Sequence, residues 1–200
     1  MLTRLSPTVG LISLLLLCAL SPCRATPWSI DSTKLITLAR SQIGVTVSYD
    51  PEYRALAYPG GDVPMETGVC TDVVIRALRG FSIDLQKEVH EDMAAHFSKY
   101  PRRWKLTRPD KNIDHRRVPN LMVFFKRRGC ELPISDNPKA YLPGDLVTCL
   151  VNGTLPHIMI VSDRKSDNGT PLVIHNIGRG AREEDILFQY KITGRYRLTK

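Results

Sequence analysis

The sequence has no Cys-x-x-Cys pair, no His-Glu-x-x-His stretch and no glycine loop of the phosphate-cradling kind. Disulfide exchange, helix-borne zinc catalysis and nucleotide chemistry therefore lack the residues they need, and neither a metal nor a cofactor is expected. Past residue 20 there is no apolar run long enough to span a bilayer, so no transmembrane span is expected. Internal repeats and low-complexity segments are absent as well. Cysteine is scarce, and its distribution is informative. Two of the five fall in the first 25 residues, leaving Cys70, Cys130 and Cys149.

Those first residues carry a positive charge at Arg4, then about a dozen apolar residues, then Cys23-Arg24-Ala25. This is the pattern of a secretory signal cut before Thr26. The expectation is a leader over 1–25 and one domain over 26–200, exported to the periplasm or secreted. Three thiols in an oxidising compartment are an odd number, so at least one stays free or pairs between chains. A Cys130–Cys149 bridge would leave Cys70 alone, and the sequence does not decide it.

Of the 28 Lys and Arg, removing Arg4 and Arg24 leaves 26 against 20 acidic residues. Much of the excess lies between Lys99 and Arg128, where the only acids are Asp110 and Asp114. Such a stripe suits an anionic envelope polymer; export makes nucleic acid an unexpected partner.

The first half has helical periodicity. Ser32 reads as the N-cap of a helix with Leu35, Ile36 and Ala39 on one face. A second helix starts at Cys70 with Val73, Val74, Ala77 and Leu78; a third begins near residue 84, and a fourth covers about 119–128. The stretch 106–117 reads as a surface connection. The second half switches to strands at 145–151, 158–162, 172–177, 186–190 and 196–198, with Asn152-Gly153 as a hairpin turn. Helices followed by a meander imply an α+β fold, with N-terminal helices packed on a C-terminal antiparallel sheet.

Cys70 is the candidate nucleophile. It opens a helix, where the macrodipole and free N–H groups lower a thiol pKa and can receive an oxyanion. His157, at the mouth of a strand, is the candidate base, and His175 or Asn176 its orienting partner. Paired residues in a hairpin set a test. A loop centred near residue 167 puts His175 opposite Met159, one same-face step from His157. A tight turn centred between Asn168 and Gly169 puts it opposite Ser162, on the wrong face. The catalytic reading needs the wider register, or Asn176 in the third role.

Asp114-His115-Arg116-Arg117 is a candidate clamp for a substrate carboxylate, with Arg179 and Arg182 beyond His175 as further candidates and Asp72 beside the thiol. His90 and His96, six apart on a helix, do not share a face and read as surface residues.

Together, Tyr58-x-Gly60-Gly61, the helix-opening Cys70, Pro143-Gly144-Asp145-Leu146-Val147, His157 with its apolar strand and His175 resemble the NlpC-type cell-wall peptidases, papain-like cysteine enzymes of bacterial envelopes. The longer pattern, with Gly68-Val69-Cys70-Thr71-Asp72 and Asn112-Ile113-Asp114-His115-Arg116-Arg117, is similar to the exported bacterial family catalogued as domain of unknown function 1287. The resemblance covers about residues 32–198. It implies a papain-like fold, Cys70 as nucleophile, His157 as general base and acid, His175 as orienter and Tyr58 near the oxyanion. The implied reaction is cleavage of an amide bond in peptidoglycan peptides. Two departures stand out: aspartate follows the nucleophile, at Asp72, instead of preceding it, and a long basic insertion separates Cys70 from Pro143. Acyl transfer or ester cleavage on lipids, and a non-enzymatic envelope-binding module with Cys70 merely packed, fit the same residues.

Overall fold

Four helices and a six-stranded antiparallel sheet frame residues 28–198, the part that the computed structural model describes. The leader expected over 1–25 lies outside the described residues. Helix α1 spans Ser32–Arg40 and is capped by the Asp31 side chain, which accepts the Lys34 N–H at 2.6 Å, one residue before the expected cap. Strands β1 (Ser48–Tyr49) and β2 (Thr67–Gly68) form a short parallel pair. Helix α2 spans Cys70–Arg79. Helix α3 spans Leu85–His96, with the Asp84 side chain capping Gln86. Helix α4 spans Val118–Arg127 with proline in its first turn, where the missing N–H breaks no helical bond.

The sheet is built from β3 (Glu131–Leu132), β4 (Leu146–Val151), β5 (Leu155–Lys165), β6 (Pro171–Asn176), β7 (Ala181–Glu184) and β8 (Lys191–Tyr196), in spatial order β3-β8-β4-β5-β6-β7. The α+β architecture expected from the switch of period is therefore present. Asn152 (φ 50°) and Gly153 (φ 76°) turn β4 into β5, the left-handed pair that a tight hairpin demands. Two strands differ from expectation, the last running over Lys191–Tyr196 in place of 196–198. Residues 186–190 form no strand; β7 lies earlier, at Ala181–Glu184. Gly178 and Gly180, both at positive φ, turn the chain back directly after β6, so the alternating Ala181-Arg182-Glu183-Glu184 pairs with it.

Both faces of the sheet are covered. Residues of α1, α2 and α4 pack with Leu146, Ile158, Ile160 and Ile174 on one face. Tyr141, Val147, Cys149, Met159, Val161, Val173 and Leu187 form a second apolar layer on the other. Helix α2 is central, with every residue from Cys70 to Leu78 buried. Each fully buried Val or Leu there contributes about 1.5–3 kcal/mol relative to exposure, so the first turn of α2 is anchored by the packing behind it. Among the described residues, no helix is long and apolar enough to cross a membrane.

Candidate active site

The turn that delivers Cys70 is held from three directions. Strand β2 ends at Gly68, and a side chain there would meet Asp72 at 3.2 Å, tighter than ordinary contact. Valine at position 69 has no polar atom with which to cap α2. Instead the Asp72 carboxylate accepts the Val69 N–H at 2.7 Å. The second direction is Arg116, in the single 3-10 turn Asp114–Arg116, which reaches Asp72 through Nε (3.0 Å) and a terminal nitrogen (2.9 Å). Its guanidinium also donates to the carbonyls of Asp50 (3.1 Å) and Glu52 (3.2 Å). The third is Asn176, at the end of β6, which donates to the Gly68 carbonyl at 3.0 Å and the Ser48 carbonyl at 3.3 Å.

The thiol so placed is 4% exposed. Backbone N–H groups of Ile158 and Thr71 are directed at its sulfur and favour the anion. Burial is the larger effect, and with Asp72 and Cys149 nearby it pushes the thiol up to about 12. The expectation that the helix terminus would lower this pKa is thus reversed: desolvation outweighs two oriented amides. Cys70 rests as a neutral thiol.

His157 is on β5 opposite Cys149 of β4, one residue from the amide that faces the sulfur. The β5–β6 register decides its partner. Ile160 pairs with Ile174 and Val161 with Val173, which continues to Met159 opposite His175. Nearer the turn, Lys165 pairs with Pro171, so a bulge places residues 162–164 opposite Leu172 alone. The turn is centred on Asn168, and the bulge moves the pairing by an even step to the register centred on residue 167, so both registers keep His175 on the face of Met159 and His157. His157 and His175 consequently share a face, with ring centroids 5.3 Å apart in an edge-on arrangement. Cys70 belongs to the helix-side layer while His157 alternates with Met159 on the other face, so thiol and imidazole approach the start of β5 from opposite sides.

Both imidazoles are buried. Desolvation, then His175, hold His157 down at about 3. Desolvation lowers His175 too, opposed by Glu184. His157 Nε2 and His175 Nδ1 have no hydrogen-bond partner among the described residues. His175 Nε2 lies 3.1 Å from Glu184 Oε2, within ion-pair range but bent away from hydrogen-bond geometry.

Several sequence-predicted residues sit elsewhere. Tyr58 packs edge-on against His90 with the Lys111 ammonium over its ring, and the charges it senses are Glu91 and Asp84. The tyrosine within electrostatic reach of the thiol is Tyr49, aligned with Gly68; desolvation, Cys70 and Asp72 push its hydroxyl up to about 12. Only a long-range parallel pairing brings Tyr49 there, which no local pattern announces. Arg116 is no substrate clamp: its donors are taken by Asp72 and two carbonyls, and it is buried. Asp114 accepts from the Asp110 N–H and Arg117. His115 is sealed in and held down at about 3 by burial, with Arg116 and Arg79 adding to the shift. Asp72 caps α2 and meets Arg116, leaving it no role toward substrate. Asn176 donates to Gly68 and Ser48 and leaves its Oδ1 buried without a partner, while His175 is the ring that abuts His157. Arg179 is exposed at the β6–β7 turn. Cys130 and Cys149 are unbridged, as is Cys70. Glu184 escaped sequence reasoning because β7 was expected later in the chain.

A cavity of about 550 Å³ opens beside the basic insertion, lined by Tyr53, His90, Lys105, Arg108, Lys111 and Asn112 among others. Among the described residues, no group of three or more His, Cys, Asp or Glu is placed to hold a metal ion.

A family model described as "Domain of unknown function (DUF1287)" matches residues 36–198. The chain is 60% identical over 159 residues, covering 80% of this chain and 78% of the relative, to "Uncharacterized protein YijF" of Escherichia coli (strain K12). No solved structure matches.

Proposed function

The chain belongs to the family described as domain of unknown function DUF1287, and we propose that it is an exported, papain-like thiol hydrolase of the NlpC type that cleaves an amide bond in peptidoglycan peptides. One observation carries this reading. A buried thiol at the first turn of the central helix faces the amide next to His157, whose ring abuts His175. These imidazoles leave nitrogens unpartnered in the interior, as His90 and His115 also do, and here the open nitrogens lie one residue along β5 from the amide that faces a buried thiol.

The chemistry follows from the resting protonation. Thiol and imidazole are both neutral, so the proton moves as the bond forms. Sγ of Cys70 attacks the amide carbon while His157, turning round the start of β5 from the opposite face to reach Sγ, takes the thiol proton, as a general base does for a hydroxyl nucleophile. The oxyanion develops near the N–H groups of the α2 first turn, with the Tyr49 hydroxyl in the role expected of Tyr58. His157 then protonates the departing amine and the C–N bond breaks. Water, deprotonated by His157, releases the acyl group from sulfur. The basic cavity beside the insertion supports an anionic substrate such as the carboxylate-bearing stem peptides of the wall. The domain would act after export, on an envelope polymer, with no resident cofactor.

Digestion of purified peptidoglycan by the protein and by Cys70→Ala, with muropeptides identified by mass, tests this. Peptide-cut products from the wild type alone are expected, and equal activity of Cys70→Ala would overturn the mechanism. A second reading, acyl or ester chemistry on lipids, draws on the exposed Val45, Val47, Tyr49 and Met65 near the β1–β2 pair. A phospholipid substrate assayed in parallel separates the two.

A further inference from the structure

The two buried histidines raise a question of tautomers. A neutral imidazole has one N–H and one lone pair, and whatever binds one nitrogen decides the role of the other. His175 is 1% exposed and faces three charged or titratable groups: His157 from β5, and Arg182 and Glu184 from β7. Arg182 lies 3.9 Å from the Oε1 oxygen of Glu184, leaving Oε2 toward His175 Nε2 at 3.1 Å. Asn176 alternates with His175 along β6, on the side of Ile174 and away from the face that His157 shares with Met159, and its amide N–H groups donate to Gly68 and Ser48.

We infer that Glu184 is a positioning residue that acts on Cys70 through both histidines. Once that 3.1 Å contact straightens into a hydrogen bond, its carboxylate holds the proton of His175 on Nε2, leaving Nδ1 as a bare acceptor. That lone pair accepts the Nε2–H of His157, whose Nδ1 is then the free base for the thiol. The two nitrogens this assignment joins, His157 Nε2 and His175 Nδ1, are the ones without partners in rings 5.3 Å apart. A small rotation of either ring closes the bond, as catalytic contacts tighten when substrate enters. This inference rests on the Cys70–His157 reading and adds a fourth member to it.

The test uses the full chain and needs no knowledge of the substrate. Imidazole ¹⁵N spectra, assigned with His175→Gln, give the tautomer. The rate at which iodoacetamide alkylates Cys70, located by peptide mass across pH 5–10, gives the base strength. The wild type and Glu184→Gln, whose amide oxygen still accepts, are expected to show His175 protonated on Nε2. Glu184→Ala is expected to mix the tautomers and slow alkylation near neutral pH about tenfold, the lower range for loss of a tautomer-fixing carboxylate that is partly exposed. Glu184→Gln is expected to recover most of that rate. If Glu184→Ala matches the wild type in both readouts while His157→Ala is slow, the role of Glu184 is refuted and the nucleophile–base pair stands. If His157→Ala itself alkylates at the wild-type rate at every pH, the pair is refuted. Should Glu184→Ala fail to fold, a wild-type spectrum with His175 protonated on Nδ1 refutes the inference alone.

Discussion

Two buried polar clusters meet at the start of α2, and they are finished to different degrees. On one side Asp72, Arg116 and the carbonyls of Asp50 and Glu52 satisfy one another, with Arg76 clamped to Asp62 a turn further along. On the other side Cys70, His157 and His175 lie within the same interior with ring nitrogens left open. An unmade hydrogen bond in the interior costs about 1–3 kcal/mol, so a fold keeps one where something else completes it. On the proposed function, the closed cluster is scaffold and the open one is where a substrate or a transferred proton belongs. The position of Arg116 makes the point. Sequence reasoning aimed it at a substrate carboxylate, and it holds a carboxylate of its own chain.

The strongest way to break this comparison is to interchange the costs. Cys70→Ala and His157→Ala should each lower peptidoglycan cleavage at least about 10³-fold while leaving urea-unfolding stability within about 1 kcal/mol of wild type. A large stability loss in either would make the open cluster structural. Arg116→Leu should do the reverse, costing about 3–5 kcal/mol in the same unfolding assay by leaving Asp72 charged and unpaired. Adding Asp72→Asn to Arg116→Leu should return part of that loss. Tyr49→Phe should reduce turnover about 10²-fold, the scale of one oxyanion donor, with unchanged melting. Tyr58→Phe should change turnover by less than about twofold, since its neighbours are His90 and Lys111. A separate comparison of the two clusters is acid sensitivity. His157 in the open cluster and His115 beside the closed one are both held at about 3 when folded, against an ordinary 6.5. The unfolded chain therefore binds protons that the folded one refuses. Their contribution to stability is complete above about pH 6.5 and is lost as pH falls toward 3, by up to about tenfold in the unfolding constant per pH unit for each. Urea midpoints between pH 7.5 and 4 should show that slope, and His115→Leu should make it shallower by about one proton.

Much of this was legible before any coordinates. Val73, Val74, Ala77 and Leu78 mark α2 by spacing, and Asn152-Gly153 marks the β4–β5 turn by its left-handed preference. Cys70, His157 and His175 were singled out because a thiol at a helix start and histidines at strand ends are local patterns. Even the register question was framed correctly, and the bulge answered it. What stayed hidden was non-local. Tyr49 depends on a two-residue parallel pairing, Glu184 on a hairpin set by two glycines, and the Arg116–Asp72 contact on side chains 44 residues apart. Periodicity reports which face is buried, and it cannot report which polar group meets which. The thiol pKa was misread for a related reason: a helix terminus is visible in sequence, whereas the depth of burial that overrides it is not.

The bulge in β5 has a bearing on how such a protein can change over generations. Arg40 of α1 gathers Ser162 and Glu183 around it, at 3.1 and 2.7 Å, and Arg164 joins Glu183 at 3.0 Å. These pins separate the exposed turn around Asn168 from the histidines three to four pairs away. Residues gained or lost at the tip would ordinarily flip every side chain downstream to the opposite face. Here the turn and the histidines differ in register by two residues, an even step that the pinned kink holds in place, so His157 and His175 stay on one face.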